Sequence, residues 1–178
     1  MSETRWTVDT VHSAAEFEVQ HMAISTYRNR FSAMAGTLLL DEDHPEATQL
    51  SATVEAKSLE LAPGHFFDAL MGADFFQAEA HPQFRFQSHS AQRTDAQHWT
   101  ISGDLTLRGV TQPLTFEVVD LGGGNNPFAK KPMRAFTAEA TLDRGSYGMK
   151  WNVPLDSGAR YLGEKVTLRL HIELLRQE

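Results

Sequence analysis

The chain has no cysteine. Disulfides, thiol catalysis and thiolate metal sites are therefore excluded. Compartment stays open on that ground, because a cysteine-free protein tolerates reducing and oxidising surroundings alike. A basic excess is also missing. Lys and Arg total 16 against 23 Asp and Glu, for a net charge of −7. That argues against a nucleic-acid partner, whose phosphates need a basic footprint, and against electrostatic docking on anionic lipid. No apolar run approaches the ~18 residues of a membrane-spanning helix, so no integral membrane segment is expected. The opening MSETRWTVDT lacks a cationic stretch followed by an apolar one. It predicts a cytoplasmic protein without a signal peptide, the alternative being a periplasmic or secreted protein whose signal has been trimmed. The eight histidines form no H-x-x-x-H or H-E-x-x-H pair, and no G-x-S-x-G elbow occurs. Asp9, His12 and Ser13 nominally supply a triad, but neighbours in a strand face opposite sides, so His12 and Ser13 are not expected to meet. No catalytic residue, metal ligand or cofactor is assigned.

What the chain does have is period two. In VTLRLHIELL, Val166, Leu168, Leu170, Ile172 and Leu174 fall on one face and Thr167, Arg169, His171 and Glu173 on the other. The same alternation runs through AEFEVQHM (Phe17, Val19 and His21 inward), LSATVEAKS, QFRFQSHS (Phe84 and Phe86 inward), WTISGDLTL, LTFEVV and RAFTAEATLD, with a less regular strand from Gly36. Gly, Pro, Asn and Asp punctuate these segments. Seven to nine short strands over 178 residues predict one all-β domain, a sandwich or a closed antiparallel barrel. Small inward residues (Ala52, Ala56, Ser88, Gly103) favour a barrel with unfilled interior, and about eight strands is the smallest barrel that holds a small ligand.

Two stretches break the rhythm, 59–82 and 144–164. In HFFDALMGADFF, two phenylalanine pairs must each point two ways. Pro63 can open a helix, Phe66 and Phe67 then stand one turn from Leu70 and Met71, Gly72 can end that turn, and Asp74 can cap a second one carrying Phe75 and Phe76. A short helical insertion near residues 63–78, crossing one end of the barrel, is predicted. It acts as a plug filling the core or as a lid meeting an apolar ligand.

A series of landmarks then resembles one family: Trp6 and Asp9; His12-Ser13 with Phe17-Glu18-Val19-Gln20-His21-Met22; Phe31, Gly36 and Ser58; Asp74-Phe75-Phe76; His81-Pro82-Gln83-Phe84 with Phe86 and Ser88; Gly103-Asp104-Leu105-Thr106 with Gly109-Val110-Thr111; Phe136; Arg144 with Tyr147-Gly148-Met149; Gly163 and Val166. The chain resembles the YceI-like, or polyisoprenoid-binding, proteins. The resemblance implies a lipocalin-like barrel with an elongated apolar cavity, non-covalent binding of a long isoprenoid or similar amphiphile, and a homodimer. One departure stands out. Members often carry an Arg-Asp-x-His-Leu-like stretch where this chain has Phe66, Phe67, Asp68, Ala69 and Leu70, which puts its head-group preference in doubt.

The candidate ligand contacts are Phe17, His21, Met22, Arg28, Phe66, Phe67, Leu70, Phe75, Phe76, Phe84, Phe86 and Trp151. His21 is either a satisfied core histidine or a polar contact for a head group. Arg28 belongs to Tyr27-Arg28-Asn29-Arg30, the best local anion candidate in an acidic chain or else a solvated face. Trp151 lines a rim or packs on it. The expected partner is a hydrophobic small molecule such as a quinone or polyprenyl derivative, carried, stored or sequestered. The rivals are an enzyme acting on a lipid inside the cavity and a filled barrel that binds nothing.

Overall fold

Alternation along the chain becomes ten strands in the computed structural model, which describes residues 3–178. They are β1 Thr4–Val8, β2 Ala14–His21, β3 Ser25–Phe31, β4 Met34–Leu40, β5 Gln49–Glu55, β6 Gln83–Arg93, β7 His98–Leu107, β8 Val110–Asn126, β9 Lys131–Asp143 and β10 Leu162–Arg176, with one α-helix, α1, at His65–Met71. β1, β4, β5, β6, β7, β8, β9 and β10 are antiparallel neighbours in that order, and β10 returns to β1, closing an eight-stranded barrel.

Two staves of the barrel are broken, which is how ten strands make eight positions. Near its C-terminus β10 pairs with β1 (Val8↔Leu174), and nearer its start with β2 (Phe17↔Leu168). β1 and β2 are thus successive halves of one stave, interrupted at 9–13. Side chains bridge the gap. Asp9 Oδ1 accepts from the Val11 amide at 3.0 Å, and Ser13 Oγ accepts from the Glu173 amide at 3.0 Å while donating to its carbonyl at 3.3 Å. In the same way β3 runs into β4, and Phe31 bridges to Leu59 beyond β5.

The two barrel ends differ. At the lower end lie the start of β7, the β6–β7 turn and a 3-10 turn at Pro45–Ala47. Trp6, Leu40, Thr48, Trp99 and Leu174 are all buried there. At the upper end lie α1, the β2–β3 turn and the 144–161 segment. The β7–β8 hairpin also turns there, with Arg108 at φ 41° and Gly109 at φ 79°. Two consecutive left-handed residues form the tight turn whose twist suits a two-residue hairpin.

Outside, charges ladder across four strands. Arg28 on β3 bonds Glu18 on β2 at 2.9 Å, Arg169 on β10 bonds the same Glu18, and Arg169 Nε reaches Glu139 on β9 at 2.8 Å. These pairs occupy the polar positions of the period-two pattern.

Two expectations need correction. First, Gly103 does not leave space inside. A Cβ there would stand 2.3 Å from the Gln87 carbonyl and 2.6 Å from the Phe86 ring, so the glycine admits β6 and that ring. Ser88 receives the Leu50 amide at 2.7 Å, Ala56 sits fully buried, and of the four small residues only Ala52 lines the interior. Second, the helical insertion and its second turn are present, but Asp74 is not the cap of that turn. Asp74 caps nothing, because the amides it would receive go elsewhere: Phe76 N bonds Leu70 O and Gln77 N bonds Gly72 O, each at 2.9 Å. Residues 72–80 are hydrogen-bonded turns that fold back on α1.

Candidate functional site: an apolar cavity with an aromatic mouth

The inward side chains of the staves do not meet at the barrel axis. They enclose a cavity of about 690 Å³ that runs from the lower end to the upper. Val166, Leu168, Leu170, Ile172 and Leu174 on β10 all line it, as do Leu50, Ala52 and Val54 on β5. An eight-stranded barrel either fills with side chains or holds one small ligand, and here the axis stays open. Polar side chains are few along the wall: chiefly His21, Tyr27, Thr48, Asp74, Arg144 and Tyr161. Five of these six lie toward the upper end, and Thr48 lies at the lower.

Aromatic rings organise the upper half in two connected rows. In one, Phe66 meets Tyr27 at 5.5 Å, Tyr27 meets Phe17 at 6.0 Å, and Phe17 meets Phe31 at 5.7 Å. Phe31, Phe76 and Phe84 then close a triangle with centroids 5.2–5.7 Å apart. In the other row, Phe75 meets Trp151 at 5.7 Å, Trp151 meets Tyr161 at 5.7 Å, and Tyr161 meets His21 edge-on at 4.8 Å. Tilted and edge-to-face geometries of this kind add to simple burial. Phe66 is 51% exposed and Trp151 37% exposed while both line the cavity, so the rows reach the surface and form a mouth.

Arg144 holds the mouth's second row in place. It is 4% exposed, and its guanidinium donates to the carbonyls of Gly163 (2.7 Å), Met149 (2.5 Å), Trp151 (2.9 Å) and Leu162 (3.4 Å). One planar fork thereby fastens the 149–163 backbone to the end of β9. Burial pushes its pKa below the usual arginine value. Neighbouring Tyr147 is pushed up to about 12 by burial alone.

Nine of the twelve candidate residues stand on the cavity wall: Phe17, His21, Phe66, Leu70, Phe75, Phe76, Phe84, Phe86 and Trp151. Three do not. Met22 sits in the β2–β3 turn at φ 53° and is 40% exposed, since the tight turn carries it off the inward face. Arg28 falls on the outer face of β3 and spends its charge on Glu18. Phe67 is turned from the cavity by the helical step that brings Phe66 to it, and packs against the core. The sequence reading missed Tyr27 and Tyr161, whose rings complete the mouth. Tyr27 opens the Tyr-Arg-Asn-Arg stretch on a strand of polar residues, where one aromatic at an alternate position was the available signal.

The nominal triad is not assembled. His12 Nδ1 meets Asp9 Oδ2 at 3.0 Å, which raises the imidazole's pKa and lowers the carboxyl's, but Ser13 is engaged with the backbone of Glu173. Among the described residues, Asp9, His12 and Glu173 bring ligand atoms within 4.8 Å of one another. This cluster is on the outside of the barrel, and its internal hydrogen bond accounts for it. No described helix is long and apolar enough to cross a membrane.

Comparisons with known proteins agree with this architecture. The family model for the YceI-like domain matches residues 6–174. Protein YceI of Escherichia coli O157:H7 is 30% identical over 167 residues, covering 94% of this chain and 83% of that protein. A UPF0312 protein of Pectobacterium atrosepticum is 27% identical over 177 residues, covering 99% and 88%. Among solved structures, BcnA of Burkholderia cenocepacia superposes with a TM-score of 0.77 at 18% identity, over 93% of this chain and 98% of that one. A polyisoprenoid-binding domain from Saccharophagus degradans, implicated in plant cell wall breakdown, gives 0.65 at 11% identity, over 97% and 98%.

Proposed function

The chain belongs to the YceI-like family, and from that premise we propose that it binds a long isoprenoid, such as a quinone or polyprenyl derivative, as a carrier or store. The observation that carries this reading is the cavity: about 690 Å³, walled by aliphatic and aromatic side chains from every stave, and open at one end. The Saccharophagus domain, named for polyisoprenoid binding, has the same fold. Each buried methylene contributes about 0.8 kcal/mol, so one five-carbon unit supplies a few kcal/mol before ordering costs. Several units give tight binding with few polar contacts. The binding proposed is non-covalent, with burial of the chain supplying the affinity.

The head group belongs at the mouth, where His21, Tyr27, Tyr161 and Asp74 gather. The positions that carry charge and imidazole in many relatives are Phe66, Phe67 and Ala69 here, so a weakly polar head suits this mouth best. The homodimer belongs to the same proposal. Met22, Ile24, Phe66, Trp151 and Val153 are exposed around the opening, and a second copy is an apolar partner that would cover them.

Native mass spectrometry of protein purified without detergent tests the binding reading, with solvent extraction of what is released. A stoichiometric lipid mass is expected. A bare chain mass that stays bare after incubation with quinones and polyprenols overturns it.

A further inference from the structure

The cavity has a floor, and the floor is one large ring. Trp99, near the start of β7, lines the cavity at its lower end and is 4% exposed. Its neighbours at that level, Leu40, Val118, Phe136 and Leu174, also line the cavity and are buried. The indole Nε1–H is buried and has no hydrogen-bond partner, so packing and not a polar contact holds the ring. A brace stands behind it. The Arg93 guanidinium lies 5.6 Å from the ring centroid. Arg93 is in turn held by the carbonyls of Asp95 at 3.0 Å and Ala96 at 2.9 Å, in the β6–β7 turn. A floor pinned to a tight turn does not yield to a longer ligand as a flexible aliphatic side chain would.

We propose that Trp99 is a length gauge: it sets how many isoprene units the barrel accepts before further units stay in water. This rests on the lipid-binding reading above, with the tail entering first. Polarity supports that orientation, because His21, Tyr27, Asp74, Arg144 and Tyr161 gather toward the mouth, against Thr48 and the Trp99 indole N–H at the lower end. A cavity of about 150 Å³ takes one benzene, six carbons. By proportion, 690 Å³ holds on the order of 25 to 30 carbons, five or six isoprene units. Removing the indole frees space on the order of one benzene or more, enough for about one further unit.

The experiment is a ladder of unbranched-head polyprenols, from roughly three to eight units, competed against one apolar fluorophore. In the wild type, affinity is expected to rise about tenfold or more with each unit and to level off at five or six. In Trp99→Ala the plateau is expected one unit later, with short chains bound more weakly than by the wild type. Circular dichroism and the unfolding midpoint establish that the variant is folded. Should it not fold, Trp99→Phe, which removes less volume, is expected to shift the plateau by a smaller step. A plateau that stays in place in a folded variant overturns the gauge, as does a wild-type ladder that climbs without a break. In both of those cases binding itself stands. If no chain of any length competes, the lipid-binding reading fails and the gauge falls with it.

Discussion

Tyr147 is 1% exposed, and its hydroxyl has no hydrogen-bond partner. A buried unmade hydrogen bond costs about 1–3 kcal/mol. Tyr147→Phe removes the orphan oxygen and leaves the ring, so it is expected to be neutral or to stabilise by up to about 1 kcal/mol in chemical denaturation. A loss above about 1 kcal/mol would mean the hydroxyl has a partner that the packing conceals. The two phenylalanines that open α1 make a sharper contrast. Phe66→Ala strips an exposed ring from the mouth and its 5.5 Å contact with Tyr27, so lipid retention is expected to fall while the unfolding midpoint barely moves. Phe67→Ala removes a ring packed on the core, so about 1–3 kcal/mol of stability should go with little change in retention. Equal effects from both would contradict their opposed directions. This division was not legible in the sequence. Adjacent aromatics announce two directions, but which of them meets the ligand depends on the rotation of a seven-residue helix against the barrel.

The long strands were plain from alternation because each has one wet face and one lining the cavity. The broken staves were not. β1 has five residues, and β3 reads Ser-Thr-Tyr-Arg-Asn-Arg-Phe, with ion pairs outside and, on the other face, Tyr27 and Phe31 separated by Asn29, which donates to the Tyr27 hydroxyl at 2.9 Å. A strand that supplies half a stave shows half a pattern. The turns carry their own chemistry. Asp95 accepts from the Gln97 amide at 2.8 Å and the His98 amide at 2.9 Å, which together with the His98 ring holds its carboxyl at about 2. A folded-state pKa below the unfolded value of 3.8 means that this turn's contribution is complete above 3.8 and is lost as pH falls through about 2. The Gln97 and His98 amide shifts are expected to titrate with a midpoint near 2. A midpoint at 3.8 would show the carboxylate to be free. The same turn carries Arg93, so Asp95→Ala should loosen the brace behind Trp99 as well.

At the scale of the whole molecule, the barrel's class was readable because eight strands of alternating pattern have few ways to hide their edges. The floor was not, since nothing in Trp-Thr-Ile-Ser tells which barrel end a tryptophan closes. Nor was the rim. Ile24 is 87% exposed, and with Met22, Phe66, Trp151 and Val153 it rings the opening. Backbone hydrogen bonds from Met22 to Tyr161 and from Tyr161 to Val153, at 2.7 and 2.9 Å, tie the β2–β3 turn to the 151–161 segment. Contiguous exposed apolar surface of this kind commonly marks an interface. With a net charge of −7, an anionic bilayer is a poor cover for it, whereas a second mouth matches it in chemistry and seals both cavities. Sedimentation at micromolar concentration is therefore expected to give two chains per particle. Ile24→Asp combined with Val153→Asp should give one, still folded by circular dichroism because neither side chain is buried within the chain, and with an unfolding midpoint that no longer rises with protein concentration. Lipid should also leave the double variant faster, as each mouth then opens to water. A wild-type particle of one chain would leave the rim without this partner, and a double variant that stays paired would place the contact on another face.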